Sequence, residues 1–255
     1  MPRKLPTSRP TAARDHGAVR TRGALAFLAV AVALTSGLAA AQDPQVDPRA
    51  WDGDLSTLSE FAAPSGSGKT ELMGAASEGE LVRVLALLGA GAEIDERNAN
   101  GGTALMYAVS ANELEVAQVL LDHGADPNAS ARIGWTPLLV AAAKGRDGAI
   151  RLLLAAGAAP ATPDAYGWTP LMRAVSGGYL DAVEALLASG AADIGAREES
   201  GATALHIAAG RGFAKIVASL LAAGAEPLAT DGAGRTPGDV ARMLGHADAE
   251  ALLKT

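Results

Sequence analysis

Residues 135–157 read WTPLLVAAAKGRDGAIRLLLAAG, and this stretch decides the fold because it combines the signals of two short helices. Thr136 is a preferred residue at a helix start, and Pro137 follows at the first helical position, where proline loses no hydrogen bond. Gly145 can adopt the left-handed conformation that ends a helix. The leucine pair 153–154 then indicates the buried face of a second helix. The stretch therefore predicts a helix–turn–helix unit.

The same pattern recurs along the chain at a nearly constant period. The threonines that open the units are spaced 33, 33, 33, 34 and 33 residues apart. A leucine pair follows each of the first five threonines by 17 residues, and a glycine follows four residues later. The opening threonines are Thr70, Thr103, Thr136, Thr169, Thr203 and Thr236. So many coincident positions predict a protein built from stacked repeats.

This period and its Thr-Pro-Leu openings resemble the ankyrin repeat family, whose units consist of two helices and a projecting β-turn finger. The resemblance implies an all-α solenoid with about five full repeats and a shortened C-terminal cap. The predicted repeats cover residues 66–98, 99–131, 132–164, 165–197 and 198–231, and the cap covers residues 232–255.

The chain also departs from the family pattern at identifiable positions. Only His206 keeps the histidine of the opening motif, so the usual imidazole hydrogen bonds are expected to be missing from the other units. One extra residue near Ala191 is expected to distort the fourth finger. Gly238 and Asp239 replace the expected leucine and its neighbour, which suits the polar cap that a solenoid end requires.

Composition excludes several classes of protein. The 255 residues contain no cysteine, which excludes disulfides, thiolate metal sites and a cysteine nucleophile. Hydrophobic residues make up 49% of the chain, too many for a disordered protein, but aromatic residues make up only 4%. The net charge of -7 argues against nucleic acid as a partner. The many small apolar side chains favour closely packed helices.

Residues 1–41 predict an export signal. Six basic residues and the single acidic residue Asp15 precede an uncharged apolar run over residues 25–34, and small residues lead to a cleavage site near Ala41–Gln42. Cleavage leaves 15 basic and 27 acidic side chains, a net charge of -12. The predicted location is the periplasm. The alternatives are secretion into the medium, or an uncleaved anchor over residues 24–41 that holds the protein in the inner membrane.

Residues 42–65 form an acidic, proline-containing segment that we interpret as a linker. Within it Leu55, Leu58 and Phe61 have helical spacing, so they predict a possible N-terminal capping helix on the exposed face of the first repeat.

The motif Ala63-Pro-Ser-Gly-Ser-Gly-Lys69-Thr70 looks like a phosphate-binding loop. Its first glycine is replaced by alanine, and the preceding segment lacks the pattern of a buried strand. Thr70 is also in phase with the threonines that open the later units. Nucleotide binding through residues Gly66–Thr70 is therefore an alternative to a purely structural interpretation.

No catalytic, metal or cofactor site is predicted. The histidines that follow the export signal, His123, His206 and His246, lie in different units, and no nucleophile or metal-binding motif is present.

The residues that flank the unit openings are the candidate partner-binding residues, because ankyrin proteins usually hold partners with the finger tips and the exposed side of the first helices. Tyr166 and the two tryptophans are the sharpest candidates, since aromatic residues dominate binding hot spots. The alternative is that the tryptophans brace the adjacent finger. A charge at Arg173 must either be paired or point into the groove. The candidates are Arg132, Ile133, Trp135, Lys144, Tyr166, Trp168, Arg173, Ser176 and Arg211.

Together these patterns predict a non-catalytic scaffold, monomeric in solution, that binds a protein partner through its finger tips and concave groove. The acidic mature chain favours a partner with a basic patch. A secreted effector that acts on host proteins is the main alternative function.

Overall fold

The computed structural model describes residues 68–254, which form six consecutive helix pairs and contain no β-strand. The predicted export signal and most of the predicted linker and its capping helix lie outside the described residues. The first helices of the pairs are α1 (Glu71–Ser77), α3 (Ala104–Ala111), α5 (Pro137–Ala143), α7 (Pro170–Ser176), α9 (Ala204–Gly210) and α11 (Pro237–Met243). The second helices are α2 (Leu81–Gly89), α4 (Leu114–Asp122), α6 (Asp147–Ala155), α8 (Leu180–Ala188), α10 (Ala214–Ala222) and α12 (Ala247–Leu253).

The threonines begin the first helices as the sequence predicts. The Thr136 Oγ1 atom accepts a hydrogen bond from the Leu139 amide at 3.3 Å, and Thr169 binds the Met172 amide at the same distance. These bonds satisfy amides that have no partner inside the helix. Pro137 follows Thr136 at the first helical position. The period of the repeat is therefore the distance between the starts of successive first helices.

The turn between the two helices of a unit requires a left-handed residue. Gly145 has φ +64°, and a Cβ atom at this position would lie 2.5 Å from the ring of Tyr179 in the next unit. Asn112 takes the same place in the second unit with φ +70°, and asparagine adopts this left-handed conformation more readily than most other residues. Glycine therefore serves both the turn and the close approach of the next repeat.

The core is a continuous stack of small and leucine side chains. First helices pack on neighbouring first helices, and second helices pack on neighbouring second helices. One alanine of every full unit is completely buried where first helices meet, and it comes five residues after the opening threonine: Ala75, Ala108, Ala141, Ala174 and Ala208. Alanine at this position lets the helices approach closely, which explains the composition.

Five finger loops join the units, with tips at residues 98–102, 131–135, 164–168, 198–202 and 231–235. Neighbouring tips are joined by backbone hydrogen bonds, for example from the Ala165 amide to the Ile133 carbonyl at 2.9 Å. Within residues 68–254, no such bond joins the third tip to the fourth. In the loop before the fourth tip, the Ala191 amide binds the Ser189 hydroxyl instead of a carbonyl of the preceding helix. The predicted distortion of the fourth finger is confirmed.

The last helix pair closes the stack with a mixed surface. Asp239 accepts hydrogen bonds from the Thr236 amide and hydroxyl, so it replaces the missing apolar contact with a helix cap. Leu253 is buried, whereas Met243 and Leu252 are exposed. All of the helices in residues 68–254 are too short or too polar to cross a membrane.

Candidate functional site

Five of the predicted contact residues reach the surface. Arg132 and Tyr166 are exposed at the second and third finger tips, and Ile133 is half-buried beside Arg132. Lys144 and Arg211 are half-buried where α5 and α9 end. We call these five residues the finger-tip surface. Three of them lie at finger tips, and the other two lie at the C-terminal ends of first helices.

The other four candidates are buried. Trp135 is 0% exposed, Trp168 3%, Arg173 2% and Ser176 8%. The structure therefore places the two tryptophans where the bracing interpretation requires them, and it leaves their indole rings no free face for a partner. The same burial removes Arg173 and Ser176 from the accessible surface.

Arg173 of α7 lies between the two tryptophan rings. Its guanidinium carbon is 5.0 Å from the centre of the Trp135 ring and 4.9 Å from that of Trp168. These distances allow a cation–π interaction with both rings, which gains strength away from water. The sequence left two possibilities for this charge, and pairing is the one observed, because Arg173 forms a buried ion pair with Asp164.

Asp164 connects this cluster to the third finger. While its Oδ2 atom faces Arg173, its Oδ1 atom accepts hydrogen bonds from the Tyr166 amide at 2.9 Å and the Trp168 amide at 3.0 Å. The carboxylate thus holds the backbone of Tyr166, whose side chain is exposed to solvent. We call Trp135, Asp164, Trp168 and Arg173 the buried clamp.

Sequence reasoning missed Asp164, although a signal was present. In four of the five fingers, a residue with a side-chain acceptor stands five positions before the opening threonine: Asn98, Asp164, Glu198 and Asp231. Each of them accepts hydrogen bonds from backbone amides of its own finger tip. The 33-residue period could have shown this recurring turn.

The second finger lacks that acceptor because Ala131 occupies the position. Here the tip forms a short 3-10 turn, and Ile133 has φ +53°. A β-branched side chain is strained in this region of backbone conformation. The finger that carries Arg132 and Ile133 is therefore held less well than its neighbours.

His206 performs the role that the resemblance implies. Its Nδ1 atom lies 3.2 Å from the Thr203 amide nitrogen, which donates to it, and its Nε2 atom lies 3.0 Å from the Arg235 carbonyl oxygen of the next finger. Burial lowers the pKa of His206 below the usual value, so the neutral ring is favoured. In the first unit Met73 takes this place, and its sulfur accepts the Thr70 amide at 3.5 Å.

Lys69 and Thr70 of the phosphate-loop motif have structural roles. Thr70 begins α1 and binds the Met73 amide. The Lys69 ammonium donates to the Ser77 hydroxyl and lies 5.2 Å from the centre of the Tyr107 ring. Both side chains are thus used in contacts within and between units. Residues 63–67 lie outside the described part of the chain.

The acidic and histidine side chains of the described residues are dispersed, and two of the buried carboxylates are paired with arginine. Among residues 68–254, no three histidine or acidic side chains come together in a way that could hold a metal ion. Asp164 forms an ion pair with Arg173, and Asp231 forms one with Arg235 at 2.8 Å. Burial raises the pKa of Asp231, but hydrogen bonds from Arg235 and Ala233 outweigh this effect and hold the pKa below its usual value.

Comparison with known proteins agrees with the geometry. The family of ankyrin repeats in three copies matches residues 50–131 and 128–198, and the single ankyrin repeat matches residues 200–232. The match begins inside the predicted linker. The chain belongs to the ankyrin repeat family, whose members generally mediate protein–protein interactions and are typically non-catalytic.

Solved structures show the same fold. An ankyrin repeat domain from Acinetobacter baumannii is 36% identical with a TM-score of 0.67, and the alignment covers 71% of this chain and 95% of that domain. Another ankyrin repeat protein is 32% identical with a TM-score of 0.67, over 74% of this chain and 98% of its own. A search of curated proteins gave no match.

Proposed function

We propose that this protein is a non-catalytic scaffold of the periplasm that holds a protein partner on its finger-tip surface. The observation that carries the proposal is the way Tyr166 is presented. Its side chain is 46% exposed, whereas the amide of the same residue is fixed by the buried Asp164 carboxylate. A large aromatic side chain on a fixed backbone loses little freedom when it binds.

The buried clamp supports this function indirectly. Trp135 and Trp168 do not touch the partner. Their rings pack against Arg173 and so hold the second and third fingers in place. Substitution of either tryptophan is therefore expected to weaken binding through loss of finger geometry. Substitution of Tyr166 acts directly at the contact and leaves the fold intact.

Charge supports a partner with a basic patch. The mature chain carries a net charge of -12 if the export signal is removed. Long-range attraction then accelerates association with a basic partner, and added salt slows it. Lys144 and Arg211 place positive charge within the finger-tip surface itself, so the partner's contact region also needs acidic or neutral groups opposite them.

The predicted export signal supports the periplasmic location, which has a direct test. The N-terminal residue of the purified protein is expected to be Gln42 or a close neighbour, and the protein is expected in the periplasmic fraction. An intact Met1 would indicate the membrane-anchored form. Recovery from the medium would favour the secreted effector.

The contact surface can be tested by photo-crosslinking in the native cell. A photoreactive phenylalanine derivative in place of Tyr166 is expected to give one discrete crosslinked product. The same derivative at Leu228 is the control, because Leu228 is 70% exposed and lies outside the finger-tip surface. Equal products from both positions, or none from Tyr166, would contradict the proposed surface.

Nucleotide binding has less support, because Lys69 and Thr70 are engaged in structural contacts. ATP binding that disappears in Lys69→Ala would favour that alternative. The scaffold predicts that Lys69→Ala leaves partner binding unchanged.

A further inference from the structure

The outer surface of α2 is more apolar than that of the other second helices. Val82 is 82% exposed and Leu85 43% exposed. The repeat period places polar or small residues at both positions in the next four units. The counterparts of Val82 are Glu115, Gly148, Asp181 and Lys215, and those of Leu85 are Gln118, Arg151, Glu184 and Ala218. The first unit thus exposes aliphatic side chains where its neighbours expose polar or small ones.

An apolar groove continues this surface across the first three units. It has a volume of about 460 Å³, and its lining includes Leu81, Leu114, Val119 and Leu152. Leu81 and Leu85 are one turn apart on α2, so the exposed patch and the groove share one helix face. Three of the eight large hydrophobic side chains that are exposed within residues 68–254, Val82, Leu85 and Leu114, belong to this region.

Gly148 lets the Leu114 side chain, which also lines the groove, pack close to α6. Gly148 lines the groove on α6, and a Cβ atom there would lie 2.9 Å from a terminal carbon of Leu114. Glutamate and aspartate occupy the same repeat position in the second and fourth units. Glycine inside a helix lowers its stability, and the left-handed conformation does not require it here. A larger residue at position 148 must therefore displace the Leu114 side chain and change the shape of the groove.

The charges around the groove are negative. Glu113 directly precedes α4, and α4 itself contains Glu115 and Asp122 but no lysine or arginine. Arg83 of α2 is paired with Glu80 at 3.0 Å, and Arg151 of α6 is paired with its own helix start at Asp147. Glu115 itself lines the groove. An apolar hollow beside unmatched acids suits a ligand that is apolar on one side and basic on the other.

We propose that the face formed by Val82, Leu85 and the groove over Gly148 binds a basic amphipathic helix of a protein partner. Apolar side chains spaced along one face of that helix enter the groove, and flanking lysine or arginine residues approach Glu115 and its neighbours. We call this face the outer groove. It lies on the second helices, whereas the finger-tip surface lies on the finger loops and the ends of first helices, so either site can fail without the other.

The test uses the mature full-length protein and a fluorescent leucine–lysine peptide of about 18 residues, which forms an amphipathic helix. Fluorescence anisotropy measures its Kd. A peptide of the same composition in scrambled order controls for non-specific charge attraction, and a leucine–glutamate peptide controls for apolar binding alone. The protein variants are Val82→Glu with Leu85→Gln, which copies the residues of the second unit, and Gly148→Asp, which copies the fourth.

Both variants are expected to weaken binding of the leucine–lysine peptide by at least about tenfold. They are expected to leave helix content and thermal unfolding close to those of the unsubstituted protein, since each new residue already occupies the same position in another unit. The control variant Leu228→Gln removes an exposed leucine elsewhere and is expected to bind the peptide normally. Added salt is expected to raise the Kd.

The proposal is overturned if the scrambled peptide binds equally well, or if the two groove variants bind like the unsubstituted protein. It is also overturned if the peptide does not bind. That result includes the case in which residues 42–67 or a second copy of the chain already cover the face. Photo-crosslinking from Tyr166 is independent of these outcomes and continues to test the finger-tip surface alone.

Discussion

The ion pair of the buried clamp can be replaced by the residues that occupy the same repeat positions elsewhere in the chain. Asp164 of the third finger and Arg173 of α7 occupy the repeat positions of Asn98 in the first finger and Tyr107 in α3. There the Asn98 side-chain amide donates to the Tyr107 hydroxyl at 2.9 Å, and its Oδ1 atom accepts amides of its finger tip, as Asp164 does. The double substitution Asp164→Asn with Arg173→Tyr therefore replaces the ion pair with the neutral hydrogen-bonded pair found at Asn98 and Tyr107.

The single substitutions are expected to be costly. Asp164→Asn leaves the Arg173 guanidinium, which is 2% exposed, without its counter-charge, and removing one member of a buried pair costs about 3–5 kcal/mol. Arg173→Tyr removes the cation between the two indole rings and leaves a buried carboxylate that keeps its two amide donors. We expect a cost of about 2–4 kcal/mol for that substitution.

The free energy of unfolding of the double variant is expected to lie within about 2 kcal/mol of that of the unsubstituted protein, so the two changes should couple by at least about 3 kcal/mol. The assay is guanidinium unfolding followed by tryptophan fluorescence, with Trp135 and Trp168 as reporters beside the substituted residues. If the double variant loses the sum of both single costs, or if Arg173→Tyr alone costs less than about 1 kcal/mol, the account of the clamp is refuted.

Three further predictions concern stability. Burial lowers the pKa of His206, so as the pH falls below about 6.5 the unfolded chain takes up a proton at this residue before the folded chain does. The free energy of unfolding should therefore decline in this range by at most about 1.4 kcal/mol per pH unit. His206→Met, which copies the first unit, should flatten that part of the pH profile in urea unfolding; an unchanged slope would contradict it. The double substitution Ala131→Asp with Ile133→Asn supplies the missing acceptor of the second finger and relieves the strained φ at position 133. It should stabilise the protein by about 1–2 kcal/mol in the same assay, and a loss of stability would show that the tip is not strained. Asn112→Gly should raise stability by less than about 1 kcal/mol, and destabilisation would contradict its left-handed role.

The sequence predicts the fold well because its signals are local. The opening threonine, the turn residue Gly145 and the buried leucine each act within one unit, and repetition removes the ambiguity of a single occurrence. The distortion of the fourth finger could be predicted for the same reason, since one inserted residue changes a fixed period. The structure confirms these expectations for residues 68–254.

The candidate site could be predicted only in part, because burial depends on contacts between units. Tyr166 and Trp168 are two positions apart in one finger, yet the first is exposed and the second is covered by Arg173 of α7. Composition alone does not distinguish them. The outer groove was also missed, since Val82 and Leu85 stand out only when each second helix is compared with its neighbours.

The central claim is that the finger-tip surface binds a protein partner, and the affinity of that partner tests it most directly. Once the product crosslinked through Tyr166 has been identified, isothermal titration calorimetry can compare the unsubstituted protein with Tyr166→Ala combined with Arg132→Ala. The account predicts a Kd at least about tenfold higher for this variant, with unchanged thermal unfolding, and a normal Kd for Leu228→Gln. An unchanged Kd for the Tyr166 and Arg132 variant would contradict the account.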